Sequence, residues 1–168
     1  NGSIIDCATR DGRGGSVYIQ NATRMSDYNG LFIMNGGSIS DSGVSSNREE
    51  DNTIYNLGTF IANGGTVANS GSGKFNYALY NGGIFQTGQN SSGTAFSGTA
   101  FSGAAVNGDS SDLFDGGIFN GPVFNYDRIS GGTFNGTVNN YGTITGGTFS
   151  NGITGNPALV TGSGTEAD

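Results

Sequence analysis

The feature that most constrains this chain is a recurring Gly-Gly doublet. It occurs at 14–15, 36–37, 64–65, 82–83, 116–117, 131–132 and 146–147. One small or β-branched residue follows each doublet, then a large apolar one: Ser16-Val17, Ser38-Ile39, Thr66-Val67, Ile84-Phe85, Ile118-Phe119, Thr133-Phe134 and Thr148-Phe149. Repetition of this kind marks a solenoid, in which each repeat is one coil and buries its apolar side only against its neighbours.

The last three doublets are 15 residues apart, and the earlier spacings are 22, 28, 18 and 34. We read the 34 as hiding one degenerate turn. In the 15-residue stretch Phe119, Phe134 and Phe149 align. So do Val123, Val138 and Ile153, then Asn125 and Asn140, and Ile129 and Ile144. A second pair, Gly30–Gly43 against Gly58–Gly71, is identical at eight of fourteen positions. Inside each copy apolar residues alternate with Ser, Thr and Asn, which is the period of a strand with one buried face. The doublet supplies a corner, because glycine accepts positive φ. No helical stripe is visible, so helix content should be close to nil.

The expected fold is all-β: a single-stranded parallel β-helix, coiled right-handed, with six to eight coils in one domain over 1–168. Irregular longer coils occupy 1–110, regular 15-residue coils 111–155, and a cap or tail 156–168. Equivalent side chains then stack about 4.8 Å apart on successive coils. Phe119, Phe134 and Phe149 form one ladder, Val123, Val138 and Ile153 another, and Asn125 and Asn140 an internal or corner amide ladder. Asn-Gly dipeptides at 29–30, 81–82, 120–121 and 135–136 would by themselves suggest antiparallel hairpins; the register of the repeats favours the solenoid.

Composition narrows the function. The chain has 33 Gly but only 2 Pro, with no Gly-X-Y period, so it is not collagen-like. Its 11 Phe and 7 Tyr argue against a disordered tract. Only 11% of residues are charged, and net charge is -7. No basic stripe exists, which argues against nucleic acid and against an electrostatic membrane anchor. No apolar run is long enough for a membrane-spanning helix, so no membrane insertion is expected. Cys7 is the only cysteine, which excludes an intrachain disulfide; it reads as a small core residue beside Ile4 and Ile5. The first residues carry no signal peptide, and the chain reads as a mature or excised fragment of an exported protein.

The runs GGTFNGTVNNYGTITGGTF and GLFIMNGGSISDSG resemble the Gly-rich parallel β-helix repeats of bacterial surface proteins and adhesins, and of phage or viral fibre proteins. The resemblance spans roughly 14–155. It implies an extracellular, cell-surface or virion-fibre location, a structural or adhesive shaft, and self-association or assembly with other subunits. Residues 94–103, TAFSGTAFSG, resemble the pentapeptide-repeat pattern over a short stretch, with Ala95 and Ala100 in place of its Asp or Asn.

Catalysis is not expected. There is no histidine, which removes Ser-His-Asp and Cys-His chemistry. Pectate-lyase-like and polygalacturonase-like enzymes share a parallel β-helix, but the resemblance requires basic or histidine catalytic groups. Here Lys74 is the only lysine, and the arginines at 10, 13, 24, 48 and 128 are scattered. The densest carboxylates are Asp109, Asp112 and Asp115, followed by Glu49-Glu50-Asp51. Two readings of the first cluster stay open, a solvated corner and a calcium site. No cofactor is expected.

Three surface roles remain. Glycan binding would use outward aromatics: Tyr126 and Tyr141 follow inward asparagines and should point out, with Tyr55, Tyr77 and Tyr80 earlier. The competing reading is that an outward tyrosine ladder only braces neighbouring coils. Ice binding would need stacked Thr-x-Thr, but Arg128 falls opposite Thr143 and breaks that column. Glycosylation sequons stand at Asn1, Asn21, Asn90 and Asn135. Open coil ends template further strands, which points to end-to-end or side-by-side assembly.

Overall fold

The computed structural model describes residues 2–5, 16–20, 30–41, 52–69, 77–88, 98, 100–102, 105–108, 113–156, 160–161 and 165–166. Every regular element among them is a strand: β1 Ser3–Ile5, β2 Val17–Ile19, β3 Leu31–Asp41, β4 Ile54–Asn56, β5 Thr59–Asn69, β6 Leu79–Asn81, β7 Ile84–Gln86, β8 Ala100–Ser102 and β9 Ala105–Asn107. The regular part adds β10 Leu113–Phe119, β11 Val123–Asn125, β12 Arg128–Phe134, β13 Val138–Asn140, β14 Thr143–Ile144, β15 Thr148–Phe149, β16 Ile153–Gly155 and β17 Thr165–Glu166.

The strands form two parallel sheets. Sheet A follows β1-β3-β5-β7-β10-β12-β15-β17, with β8 and β14 pairing beside that path. Sheet B follows β2-β4-β6-β9-β11-β13-β16, one strand per coil. One regular coil shows how a coil is built. β11 lies in sheet B, Tyr126-Asp127 turn the chain, and Arg128-Ile129-Ser130 run along the first arm of sheet A. Gly131-Gly132 then bend it, Thr133-Phe134 form the second arm, and β13 returns to sheet B. Fifteen residues thus complete three sides. Gly132 sits at φ 112, a region L side chains avoid, so the bend selects glycine. This is the parallel β-solenoid that the repeats call for.

The register differs from the repeat alignment at two doublets. Gly82-Gly83 do not bend sheet A; they precede its first arm, and Phe85 pairs with Phe60 and Phe114. In that coil the second arm is β8, where Phe101 pairs with Val67 and Phe119, so the 34-residue spacing spans a second arm that no doublet precedes. Val17 belongs to sheet B, opposite Ile54, and not to the second arm of sheet A where Ile39, Val67 and Phe119 lie; the doublet at 14–15 itself lies outside the described residues. The 28-residue pair is in register: Phe32 faces Phe60, Ile33 faces Ile61 and Ile39 faces Val67.

The interior is filled by ladders. On the second arm Phe101, Phe119, Phe134 and Phe149 stack with centroids 5.1, 5.1 and 4.8 Å apart and planes within 10° of parallel. On the first arm Phe60, Phe85 and Phe114 pack edge to face at 5.3 and 5.5 Å. All are fully buried or nearly so, and each such side chain stabilises the fold by about 1.5–3 kcal/mol. Sheet B contributes Ile54, Leu79, Val123 and Val138 at its first position, all buried. Val123 pairs with Val138, and Val138 with Ile153.

Candidate binding surface

The third position of each sheet-B strand carries the polar core. Asn56, Asn81, Asn107, Asn125 and Asn140 are completely buried. Each Nδ2 donates to the Oδ1 of the next: 2.7 Å from Asn56 to Asn81, 3.0 Å to Asn107, 2.7 Å to Asn125 and 2.8 Å to Asn140. The second amide proton has a carbonyl: Ile84 for Asn56, Arg128 for Asn107 and Asp127 for Asn125. Asn140 ends the row on the Asn156 carbonyl at 3.3 Å. All amide dipoles point one way, so each bond polarises the next. The sequence spacing exposed only Asn125 and Asn140. The other rungs are separated by 25, 26 and 18 residues, and only the Asn-Gly or Asn-Leu-Gly that follows them hints at their equivalence.

The middle position of the same strands points outward. There the register stacks Tyr18, Tyr55, Tyr80, Val106, Phe124, Asn139 and Thr154. Tyr55 and Tyr80 stack at 4.6 Å with planes 14° apart, and Tyr18 lies 5.8 Å from Tyr55. Val106 is buried although it points out. Tyr77 meets Phe124 edge to face at 6.4 Å. Burial, and then the neighbouring Tyr126 hydroxyl, push the Tyr77 hydroxyl above its usual pKa of 10.0. Tyr77 therefore ties the Phe124 row to the corner where Tyr126 and Tyr141 stack at 5.4 Å and 11°. Those two rings are 48% and 58% exposed. The sequence had marked Tyr126 and Tyr141 as outward and noted Tyr55, Tyr77 and Tyr80. It did not show that these belong with Tyr18 and Phe124 on one face.

The other faces differ. The first arm of sheet A presents Leu31, Ile33 and Ile84 at its N-terminal end, all exposed, and exposed Arg128 beside Thr143 further on. The second arm presents a hydroxyl column of Ser38, Thr66, Thr133 and Thr148, interrupted by Ala100 and Ile118. Beside that column Asn135 donates to Asn120 Oδ1 at 2.8 Å and accepts from Ser150 at 3.2 Å. The amide nitrogen of this sequon is thus already engaged. At the N-terminal end a cleft of about 240 Å³ opens between β1 and β3, lined by Ser3, Ile4, Phe32, Ile33, Met34 and Ile39 among others.

Of the acidic trio only Asp115 lies among the described residues, exposed where β10 reaches its Gly-Gly bend. Asp109 and Asp112 lie outside them, as do Cys7, Glu49-Glu50-Asp51, Lys74, Asn1, Asn21 and Asn90. No group of three or more metal-ligating side chains occurs among the described residues. No helix there is long and apolar enough to cross a membrane. No protein-family model, curated protein or solved structure matches this chain.

Proposed function

We propose that this chain is a structural or adhesive module of an extracellular surface or fibre, working without catalysis or a cofactor. The observation that carries this reading is the filled interior. Phenylalanine and asparagine ladders occupy the described core from coil to coil. Partners are then met on the outer faces, and the stacked coils supply stiffness. Charged groups are few, so contact is made through Asn, Thr and Tyr. Self-association belongs to the same reading. The first arm of β3 pairs with β5 on one side and, among the described residues, with no strand on the other. Such an edge templates a further parallel strand. A second copy stacked end to end would supply one.

Beads coated with the protein test the reading. Retention on glycan-bearing cell surfaces or mucin under flow, or end-joined filaments by electron microscopy, is the expected result. Beads that wash off as uncoated beads do, together with single particles at high concentration, would overturn it.

A second reading, ice binding, draws on the hydroxyl column of Ser38, Thr66, Thr133 and Thr148. Ala100 and Ile118 interrupt that column, and Arg128 interrupts the one at Thr143. Thermal hysteresis at micromolar protein would replace the adhesive reading with this one.

A further inference from the structure

We infer that the outer face of sheet B is a binding line for a neutral, linear polysaccharide, with Tyr18, Tyr55, Tyr80, Phe124, Tyr126 and Tyr141 as its contact residues. This deepens the adhesive reading and rests on it.

Four observations lead there. First, phenylalanine and tyrosine are sorted. Seven phenylalanines are fully buried or nearly so in the core. Every tyrosine among the described residues lies on the outer side of sheet B or at its corner: Tyr18, Tyr55 and Tyr80 at the middle positions, Tyr77 against Phe124, and Tyr126 and Tyr141 just beyond. Packing alone would accept phenylalanine at these positions. A phenol instead combines an apolar ring with a hydroxyl that meets water or a ligand.

Second, the face is a line. Each sheet-B strand has three residues, of which only the middle one points out. The line runs along the solenoid axis with one side chain per coil, about 4.8 Å per step. A folded protein needs roughly 800 Å² on its side of a stable interface, and a single row flanked at one corner by Tyr126 and Tyr141 falls well short of that. An extended polymer lying along the axis meets successive rungs on either side of the buried Val106.

Third, the line is neutral in a chain of net charge -7. Its middle positions carry Tyr, Val, Phe, Asn and Thr and no charge. A nucleic acid needs cationic side chains for its phosphates, and an anionic membrane surface needs a basic cluster. Neither is offered here.

Fourth, the line continues from aromatic to amide and hydroxyl. Beyond Phe124 come Asn139 and Thr154, joined by a 2.9 Å hydrogen bond from the Thr154 hydroxyl to Asn139 Oδ1. Ring edges, which are positively polarised, and phenol groups next to short polar side chains suit the hydroxyl rims of sugar units. The stacked rings spend their faces on one another, so contact is made by ring edges and phenol groups along the row. That geometry favours long chains over single sugars, because each rung adds a small increment.

The chain has no tryptophan, and six of its seven tyrosines lie on or beside this face, so tyrosine emission reports mainly on it. The experiment titrates the protein with mannan, xylan, laminarin and carboxyl-free β-glucan, following tyrosine fluorescence and affinity electrophoresis. At least one polymer should shift the emission and retard migration, and its trisaccharide should bind at least tenfold more weakly. Tyr126→Ala/Tyr141→Ala should weaken binding at least tenfold with unchanged circular dichroism. Thr143→Ala/Thr145→Ala, on the first arm of sheet A, should bind as the parent does. No retardation by any of the four polymers would overturn the inference. So would equal binding by the two double variants, or loss of a self-associated species in the Tyr126/Tyr141 variant without any polymer effect. Bead retention separates the two levels. Beads retained independently of these tyrosines leave the adhesive reading standing and remove this site. Tyrosine-dependent polymer binding without bead retention, with single particles at high concentration, supports the site and removes the adhesive reading.

Discussion

Asn107 has an asparagine on the coil before and another on the coil after, 3.0 and 2.7 Å away. Replacing it with leucine leaves Asn81 without one acceptor and Asn125 without its donor, both in the dry interior. An orphaned buried polar group costs about 1–3 kcal/mol. Asn107→Leu should therefore lower unfolding free energy by at least that amount in urea denaturation. Asn135→Ala, in the exposed row, should stay within about 0.5 kcal/mol of the parent. Phe134 is held between two parallel rings, so Phe134→Ala should cost about 3–5 kcal/mol. Gly142 packs against the coil before it, where a Cβ would collide with the Asp127 carbonyl oxygen; at Gly2 a Cβ meets nothing within 4 Å. Gly142→Ala should depress the melting temperature, whereas Gly2→Ala should leave it unchanged. Tyr77 adds a pH dependence. Its raised folded pKa has no effect while folded and unfolded chains are both protonated, below 10.0. As pH rises through 10.0 towards the raised value the unfolded chain loses its proton first, so stability falls. Tyr77→Phe should remove that part of the alkaline decline, read as unfolding midpoints across the pH series.

At the scale of the element, the regular coils were legible and the irregular ones only in part. Between β10 and β15 each side of the coil has a fixed length, so one 15-residue offset aligns Phe119 with Phe134 and Phe149, and Asn125 with Asn140. Earlier, the offsets between rungs of the asparagine row change from coil to coil. A solenoid tolerates this because a connection of any length serves if the next strand returns to its level. Gly-Gly was thus an incomplete guide. It marks the sheet-A bend at Gly64-Gly65 and Gly131-Gly132, but a different corner at Gly82-Gly83, where backbone crowding against the preceding coil also selects glycine. The tyrosine face was legible only in fragments for the same reason. Tyr126 and Tyr141 share the regular offset, while Tyr18, Tyr55 and Tyr80 come together only through the register of β2, β4 and β6.

For the whole molecule, one direction of chain in every strand pair among the described residues gives the object its character. Parallel stacking sorts side chains by position, with ring ladders and an amide row inside, and the tyrosine, hydroxyl and aliphatic faces outside. The proposed stiffness, end-to-end growth and linear ligand all rest on that sorting. The aliphatic edge at Leu31 and Ile33 gives a test at this scale: Leu31→Lys/Ile33→Lys should reduce any self-association seen in sedimentation velocity while sparing the fold. The stack itself is reached most directly by nuclear Overhauser contacts between selectively labelled phenylalanine rings. Coils in parallel register require strong Phe119–Phe134 and Phe134–Phe149 contacts and no direct Phe119–Phe149 contact. Absence of the first two, or cross-strand contacts of antiparallel pairing, would contradict it.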